Sequence, residues 1–416
     1  MHARAGQQHP RGANAVQMRS KFAGLMTRRR TLEAVTLLTA SAAVSALAGR
    51  ANAASAAEPI RIGSINDVTG FAAAYGVPER DGQRLAVRMI NEKGGINGRP
   101  LELVERDTQG DTNRTVLYFE ELAGDPKIAA IVGFTTSNDA NAAKALANKL
   151  KTPMIAFVGA ASYTEGDIDY VYRVLLGDLY LMQGILKFMS EEKKGKTFAL
   201  LMQNDAFGQG AAKVAQKFYP QYGLKLVANE QFSPKDTDVT PQLSRIREAK
   251  PDFIISYCVG LVSAVINRDR EALGMTAIPL IGPQNWGEAS VIRASGPAAE
   301  GVLVASSMAS ADPKPGTQME VFEQYKAFAG KPPSGAAPMY GMDAIEFLAA
   351  ALSKAAPASG NVDRAQLKNA LDQTDYHGAT GHFRFSPSVH EIVDPAEAVI
   401  GIIQDGKWIR YSSRKT

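Results

Sequence analysis

Two short loops of small hydroxyl-bearing residues have the spacing best suited to ligand chemistry in this 416-residue chain. Ser137 lies in a polar loop after the apolar segment 128–133, and Ser162 lies in a similar loop after the apolar segment 154–159. Asn138 or Ser137 is a candidate N-cap for a helix between the two segments. In a parallel sheet both loops would lie at the carboxyl ends of strands, where ligands bind. The pattern predicts that Ser137 and Ser162 hold an anionic group such as a carboxylate, although helix capping alone would also explain both residues.

A glycine-rich segment later in the chain partly resembles a dinucleotide-binding loop. Gly208 and Gly210 follow a predicted strand and open a predicted helix, and Glu230 follows about twenty residues further on. Lys213 stands where that motif needs a third glycine for close packing of the helix against the strand. This bulky side chain argues against NAD, and we predict no cofactor.

The other reactive side chains do not form a recognisable catalytic or metal-binding motif. After the N-terminal export segment, the histidines are His377, His382 and His390, whose spacing matches no metal motif and which we predict to lie on surface loops. Cys258 is the single cysteine, so no intrachain disulfide is possible, and it is predicted to be a small core residue. The Gly-x-Ser-x-Gly signature of α/β-hydrolases is missing from the sequence. The sequence therefore predicts neither a metal site nor an enzyme.

Predicted strands and helices alternate along most of the chain in two successive series. The first series opens with a strand at 60–65, followed by a Gly/Ala-rich loop at 66–77 that contains Tyr75 and by an amphipathic helix at 79–91. This alternation is typical of an α/β protein with doubly wound parallel sheets, and two series of similar size predict two lobes with a cleft between them. The other predicted strands are 101–104, 128–133, 154–159, 197–202, 224–228, 253–258 and 279–282, and the other predicted helices are 112–123, 179–190, 209–219, 239–249, 261–273, 339–352 and 364–371.

The N-terminal residues indicate export. Arg28 and Arg29 precede the apolar stretch 34–48 and an Ala-x-Ala sequence at 51–53, which is the arrangement of a signal peptide of twin-arginine type with an upstream extension. Residues 1–53 carry eight Lys or Arg and one Glu, so the remainder carries 38 basic and 41 acidic side chains. A slightly negative protein has no electrostatic support for nucleic-acid binding. We predict a soluble periplasmic protein.

Four segments, in this order, resemble those of the leucine/isoleucine/valine-type periplasmic binding proteins. They are TGFAAAYG at 69–76, NEKGGINGRP at 91–100, NDAFGQG at 204–210 and AEGVLV at 299–304. The resemblance covers the chain after the signal peptide. It implies the type I periplasmic binding fold, in which two α/β lobes joined by three crossovers close on a solute. It also implies a monomer that delivers the solute to the permease subunits of an ABC importer and has no enzymatic activity.

The resemblance implies seven ligand-binding residues. A serine at a helix N-terminus, a backbone contact and a second hydroxyl would hold the ligand carboxylate, and aromatic or aliphatic side chains would line its apolar part. The final position holds a glutamine where amino-acid binders of this family carry a glutamate for the α-ammonium group. The implied residues are Tyr75, Ser137, Ala160, Ser162, Phe207, Val259 and Gln284.

The glutamine determines the predicted ligand. Because a neutral amide cannot form the charged half of an ammonium bridge, Gln284 favours a small carboxylate or amide-like solute with an apolar body over a branched-chain amino acid. Asp205 or Glu288 would restore an ammonium partner if either one reached the ligand. Three alternatives stay open: branched-chain amino-acid transport, a periplasmic ligand sensor, and an enzyme that uses the same cleft.

The order of the predicted elements also gives lobe boundaries. We predict that lobe I comprises 58–175 and 306–390, and that lobe II comprises 176–305 and 391–416. Extended segments that join two α/β series are expected to act as hinges. The predicted crossovers lie near 174–177, 305–308 and 389–393.

Overall fold

The computed structural model describes residues 57–413. The predicted signal peptide, residues 1–53, lies outside the described residues. Across the described part of the chain, no helix combines the length and the apolar character needed to cross a membrane.

The first sheet is formed by the first five strands of the described chain. Its central strand is buried at every position, which explains why that segment is apolar without alternation. The fourth strand ends three residues earlier than predicted, at Ala156. The strands are β1 (Ile60–Asn66), β2 (Leu101–Asp107), β3 (Ile128–Gly133), β4 (Met154–Ala156) and β5 (Val171–Arg173), all parallel and in the order β2-β1-β3-β4-β5.

The second sheet has seven strands. They are β6 (Thr197–Gln203), β7 (Lys225–Phe232), β8 (Phe253–Tyr257), β9 (Leu280–Pro283), β10 (Leu303–Ser306), β13 (Val399–Gln404) and β14 (Lys407–Arg410), in the order β14-β13-β10-β9-β8-β6-β7. Strands β6 to β10 are parallel, whereas β13 runs antiparallel to β10 and β14 runs antiparallel to β13. Two further strands, β11 (Asp375–His377) and β12 (His382–Arg384), form a separate antiparallel pair.

Helices pack on the sheets and complete two α/β lobes. The chain completes the first sheet, forms the parallel strands of the second, returns to pack a helix at 337–355 on the helix at 73–92, and ends in the second sheet. Structural similarity confirms the predicted type I periplasmic binding fold. The eleven α-helices within residues 57–413 are α1 (Ala73–Glu92), α2 (Thr112–Gly124), α3 (Ser137–Lys149), α4 (Asp178–Glu191), α5 (Ala206–Phe218), α6 (Thr240–Ala249), α7 (Val262–Ala272), α8 (Ala289–Ser295), α9 (Thr317–Ala329), α10 (Ala337–Ala355) and α11 (Arg364–Leu371).

Helix α1 begins earlier than predicted, so Tyr75 lies in its first turn and not in a loop. Pro78 lies inside this helix and cannot donate the usual backbone hydrogen bond to the carbonyl of Ala74. In the structure that carbonyl accepts a hydrogen bond from the hydroxyl of Ser290 at 3.3 Å. Ser290, which follows β9 of the second sheet, thus supplies the Ala74 carbonyl with the hydrogen bond that Pro78 cannot donate.

The expectation that the histidines lie on surface loops is wrong for His390, which is buried, while His377 and His382 are exposed and partly exposed but lie on strands. His390 is 1% exposed, and its ring stacks on Tyr172 with centroids 4.3 Å apart. Its Nε2 also lies 3.2 Å from a carboxylate oxygen of Asp372. His377 and His382 lie directly opposite each other on β11 and β12. Their spacing in the sequence matches no metal motif, but antiparallel pairing of the two strands brings their side chains together.

Candidate functional site

The candidate site is a small cavity of about 20 Å³ between the two sheets, so it has to widen before it can hold a solute. Its walls come from segments that follow β1, β3 and β4 on one side and β6, β8 and β9 on the other. These are the carboxyl ends of parallel strands, where α/β folds bind ligands. Five of the seven predicted site residues line this cavity: Tyr75, Ser137, Phe207, Val259 and Gln284.

The other two predicted residues lie beside the cavity or away from it. Ala160 is fully buried, and its N–H donates to the hydroxyl of Ser137 at 3.4 Å. Ser162 is exposed, and its hydroxyl accepts a hydrogen bond from the side chain of Asn141 at 3.0 Å. A short 3₁₀ turn, Ala161–Thr164, directs Ser162 toward a separate surface pocket. The structure does not bring Ser162 to the other predicted residues, and its ligand role stays a prediction.

The N-terminus of α3 forms the polar corner of the cavity. The N-cap is Thr136 and not Ser137 or Asn138, because the Thr136 hydroxyl accepts the Asp139 N–H at 3.2 Å. Thr136 also donates to the Asp139 carboxylate at 2.7 Å, which fixes the first turn. The hydroxyl of Ser137 therefore does not cap the helix. It lies at the positive end of a helix dipole, where an anionic group is stabilised.

The strand that leads into this corner ends in an unusual backbone conformation. Phe134 is fully buried and has a φ of 68°, a left-handed value that is uncommon for a residue with a side chain. Its N–H donates to the carbonyl of Ile65 at 2.6 Å. Strain of this kind persists where surrounding packing enforces it, and it is concentrated at functional sites.

Two polar atoms of residues that line the cavity, one from each side, lack partners. The hydroxyl of Tyr75 and Oε1 of Gln284 are buried without a hydrogen-bond partner among residues 57–413. Burial raises the pKa of Tyr75 well above its usual value, so its hydroxyl is neutral. An unsatisfied buried polar group costs about 1–3 kcal/mol, which a ligand with matching polar groups would offset. Phe207 adds an apolar surface, with its ring centroid 5.2 Å from that of Tyr257.

Sequence reasoning missed Asp178, the first residue of α4. Its N–H donates to the carbonyl of Gly159 at 2.8 Å. A Cβ atom on Gly159 would lie 2.5 Å from Asp178 Oδ1 and 2.8 Å from the ring of Phe207. Because Gly159 and Phe207 both line the cavity, the carboxylate lies directly behind its wall.

The Asp178 carboxylate is buried, and neither oxygen has a hydrogen-bond partner in the described chain. Loss of hydration raises the pKa of Asp178 to about 7, although the positive charge of Arg173 opposes the shift. In the sequence this residue looks like an ordinary acid at the start of a helix. The available signal was its position directly after the first predicted crossover.

The two acids considered from the sequence are already engaged. Asp205 caps α5 by accepting the N–H of Gly208 at 3.0 Å, and it also accepts from the side chain of Gln203 at 2.5 Å. Glu288 accepts the N–H of Ala337 at 2.8 Å and the hydroxyl of Ser334 at 3.2 Å. Both carboxylates have structural partners, in contrast to Asp178.

Direct contacts join the two walls around the cavity. The Asn138 side chain accepts the N–H of Ala206 at 3.0 Å, which links the first turns of α3 and α5. Gly260, after β8, has a φ of 87°, and a Cβ atom there would overlap the carbonyl oxygen of Phe71. These contacts enclose the cavity between the sheets.

An ion pair ties together two of the chain segments that pass between the sheets. Arg173, at the end of β5, is fully buried and its guanidinium lies 2.8 Å from the Glu391 carboxylate. The same guanidinium donates to the carbonyl of Ala160 at 2.5 Å, and Thr164 donates to Glu391 at 2.9 Å. The Arg173 N–H also donates to the carbonyl of His390. The Ala160 carbonyl beside the site is therefore fixed to a crossover.

Comparison with known proteins agrees with this geometry. A family model described as periplasmic binding protein matches residues 59–401. The chain is 27% identical over 347 residues to the leucine-, isoleucine-, valine-, threonine- and alanine-binding protein of Pseudomonas aeruginosa, covering 82% of this chain and 90% of that protein. It is 26% identical over 304 residues to the leucine-specific-binding protein of Salmonella typhimurium, covering 72% and 80% of the two chains.

Solved structures with the same fold hold different ligands. A branched-chain amino acid transporter substrate-binding protein from Streptococcus pneumoniae, in complex with isoleucine, superposes with a TM-score of 0.75 at 25% identity and covers 84% of this chain and 98% of its own. A solute-binding protein of an ABC transporter from Rhodopseudomonas palustris, in complex with 3,4-dihydroxybenzoic acid, superposes with a TM-score of 0.74 at 23% identity and covers 85% and 96%.

Proposed function

The chain belongs to the periplasmic binding protein family, and from that premise we propose that it is the solute-binding protein of an ABC-type importer. The observation that carries the proposal is the cavity between the carboxyl ends of the two sheets, where the N-terminus of α3 lies together with apolar side chains and with the polar side chains of Asp205 and Gln284. In this proposal the protein is exported to the periplasm, acts there as a monomer and performs no catalysis. It passes its solute to permease subunits in the inner membrane.

Delivery requires that the enclosed cavity open. We propose that lobe I (58–175 and 306–390) and lobe II (176–305 and 391–416) rotate about the three crossovers. The contacts across the cavity support this division, because they are single hydrogen bonds and close approaches that an opening motion can break. The hydrogen bond between Asn138 and Ala206 is one of them. Hinge closure around a ligand is a common motion of two-lobed proteins.

We propose that the ligand is a small carboxylate or amide-like solute with an apolar body. Its anionic or carbonyl end would accept hydrogen bonds at the N-terminus of α3, from Ser137 and the neighbouring backbone N–H groups. Its apolar body would contact Phe207 and Val259. Gln284 and the Tyr75 hydroxyl offer neutral polar atoms without a partner, which suits an uncharged group better than an ammonium.

An α-amino acid is the second candidate ligand, and Asp178 favours it. Its buried carboxylate lacks a partner and lies behind two residues of the cavity wall. An ammonium group reaching Asp178 would supply the missing counter-charge that Gln284 cannot. The curated relatives named above bind leucine and related amino acids, which agrees with this alternative.

A matched pair of ligands tests the two candidates. Leucine and 4-methylpentanoate have the same branched chain and carboxylate, and only leucine carries an amine. We expect calorimetry with ligand-free protein to show tighter binding of 4-methylpentanoate, because no ammonium has to be buried beside Gln284. Benzoate, 3,4-dihydroxybenzoate and the corresponding amides extend the panel to aromatic solutes.

The alternative outcomes are equally clear. Micromolar binding of leucine without binding of 4-methylpentanoate would replace the first candidate with the second. In that case Asp178→Asn should weaken leucine at least tenfold, because a buried ammonium would lose its charged partner. Millimolar or weaker binding of every compound in the panel would contradict the proposed ligand class as a whole.

A further inference from the structure

A cluster of metal-ligating side chains lies away from the cavity, on the β11–β12 hairpin. His377 pairs directly with His382 across the two strands, and Asp375 pairs with Arg384. Residues two apart on a strand share a face, so all four side chains project from the same side of the hairpin. Asp375 and His377 are exposed and His382 is partly exposed, so water and ions reach the cluster.

The distances within the cluster suit metal coordination. Nε2 of His382 lies 2.6 Å from Asp375 Oδ1, and Nε2 of His377 lies 3.9 Å from the same oxygen. The two imidazole rings stack with centroids 3.6 Å apart. One ligand atom from each of the three residues falls within 4.8 Å of the other two. In a tetrahedral zinc site with bonds of about 2.1 Å the ligand atoms lie about 3.4 Å apart, so the site is completed by side-chain rotations that move His382 away from Asp375 and bring His377 closer to it.

Arg384 orients the carboxylate without occupying the atom that faces the histidines. Its Nε donates to Asp375 Oδ2 at 3.0 Å. The other oxygen, Oδ1, is left to face both imidazoles. Partners of this kind fix ligand orientation in metal sites and are part of their design.

The opposite face of the hairpin holds it against the protein. Tyr376 and Phe383 point to that face, where their rings stack with centroids 6.1 Å apart. Phe383 is fully buried, and the Tyr376 hydroxyl donates to Glu346. The strands that carry the three ligands are thus fixed before any ion binds, which lowers the cost of ordering the site.

We propose that Asp375, His377 and His382 form a surface binding site for a divalent transition-metal ion such as Zn²⁺, Ni²⁺ or Cu²⁺. Two imidazole nitrogens and one carboxylate oxygen match the ligand preference of these ions, and water completes the coordination. The site is separate from the proposed solute cavity, and the proposal does not depend on the identity of the solute. The competing explanation is an ion-paired cluster in which the carboxylate binds only Arg384 and His382.

Calorimetry with ZnCl₂ tests the proposal on chelator-treated, full-length exported protein that carries no histidine tag. We expect one equivalent of Zn²⁺ to bind with micromolar affinity. His377→Ala and His382→Ala should each weaken binding at least about tenfold, the loss typical of damaged metal sites. Glu120→Gln, which alters an exposed acid elsewhere, is the control and should leave the affinity unchanged.

A spectroscopic measurement identifies the ligands independently of affinity. With one equivalent of Cu²⁺, electron paramagnetic resonance should show coupling to two imidazole nitrogens in the parent and to one in His377→Ala. Circular dichroism of each variant establishes that it is folded. Zn²⁺ affinity weaker than millimolar, or affinity that both histidine variants retain, would overturn the proposal. Solute binding by calorimetry is a separate measurement, so its failure would leave this result intact.

Discussion

The close approach between Gly260 and Phe71 allows a direct test of lobe closure. Gly260 follows a strand of the second sheet and Phe71 follows a strand of the first, so their contact joins the two sides of the molecule between which the cavity lies. Replacing Gly260 with alanine would place a methyl group against the Phe71 carbonyl oxygen. If the lobes open, the overlap exists only in the closed form, and Gly260→Ala should weaken solute binding.

The size of the effect follows from two separate costs. The φ of 87° at Gly260 disfavours alanine by about 1–2 kcal/mol in open and closed forms alike, so this cost lowers stability without changing affinity. The overlap with Phe71 belongs to the closed form, and overpacking costs about 1–3 kcal/mol. Since every 1.4 kcal/mol is tenfold in affinity, Gly260→Ala should weaken binding by about 5- to 150-fold.

Gly274→Ala is the matched control. Gly274 has a φ of 67°, and a Cβ atom there would meet nothing within 4 Å. Both variants should lose stability in thermal unfolding, but only Gly260→Ala should lose affinity for whichever solute of the panel binds the parent. Small-angle scattering at saturating solute should show a larger radius of gyration for Gly260→Ala than for the parent. Equal affinities of the two variants, with Gly260→Ala folded, would refute the assignment of this contact to the ligand-bound form.

Three further predictions follow from the site and from the N-terminus. Ser137→Ala should weaken a carboxylate solute by about 1.5–3 kcal/mol in calorimetry, because it removes a hydrogen bond to a charged group, whereas Ser353→Ala on an exposed helical turn should have no effect. Burial raises the pKa of Asp178 to about 7 in the folded protein, from an ordinary value of 3.8. Because the folded state holds the proton more tightly, the free energy of unfolding falls as the pH rises from 3.8 to about 7, by roughly 4 kcal/mol at most. Asp178→Asn should therefore raise the melting temperature of the solute-free protein more at pH 8 than at pH 5, and an equal shift at both pH values would contradict this. N-terminal sequencing of the periplasmic protein should find cleavage near Ala53 or Ala57, and an uncleaved cytoplasmic product would rule out export.

Local sequence signals were sufficient for much of the fold. The apolar segment at 128–133 and the polar loop after it located β3 and the corner that contains Ser137. A parallel strand that is buried on both faces is a continuous apolar run, which is easily recognised in a sequence. Helix α1 begins before its predicted start, and the hydrogen bond that Pro78 cannot make is replaced by Ser290 from a distant part of the chain. A tertiary partner of that kind leaves no local signal.

The parts of the sites that depend on distant pairing were not predictable. Asp178 looks like any acid at a helix start until its carboxylate is placed behind Gly159. The spacing of His377 and His382 fits no common metal motif, and only the hairpin register brings their rings together. Ser162 is the opposite case. The family resemblance assigned it to the ligand site, but the turn that contains it places its side chain at the surface.

The antiparallel strands at the edge of the second sheet affect the order in which the chain can assemble. β13 and β14 come from the last residues of the sequence, yet they complete a sheet whose other strands end at Ser306. Until Val399 is synthesised, β10 has an unpaired backbone edge, and such edges recruit other chains. A chain truncated before that residue should therefore aggregate, although every proposed solute-binding residue is present. Pairing of β13 with β10 therefore covers an edge that the parallel strands of this sheet leave open.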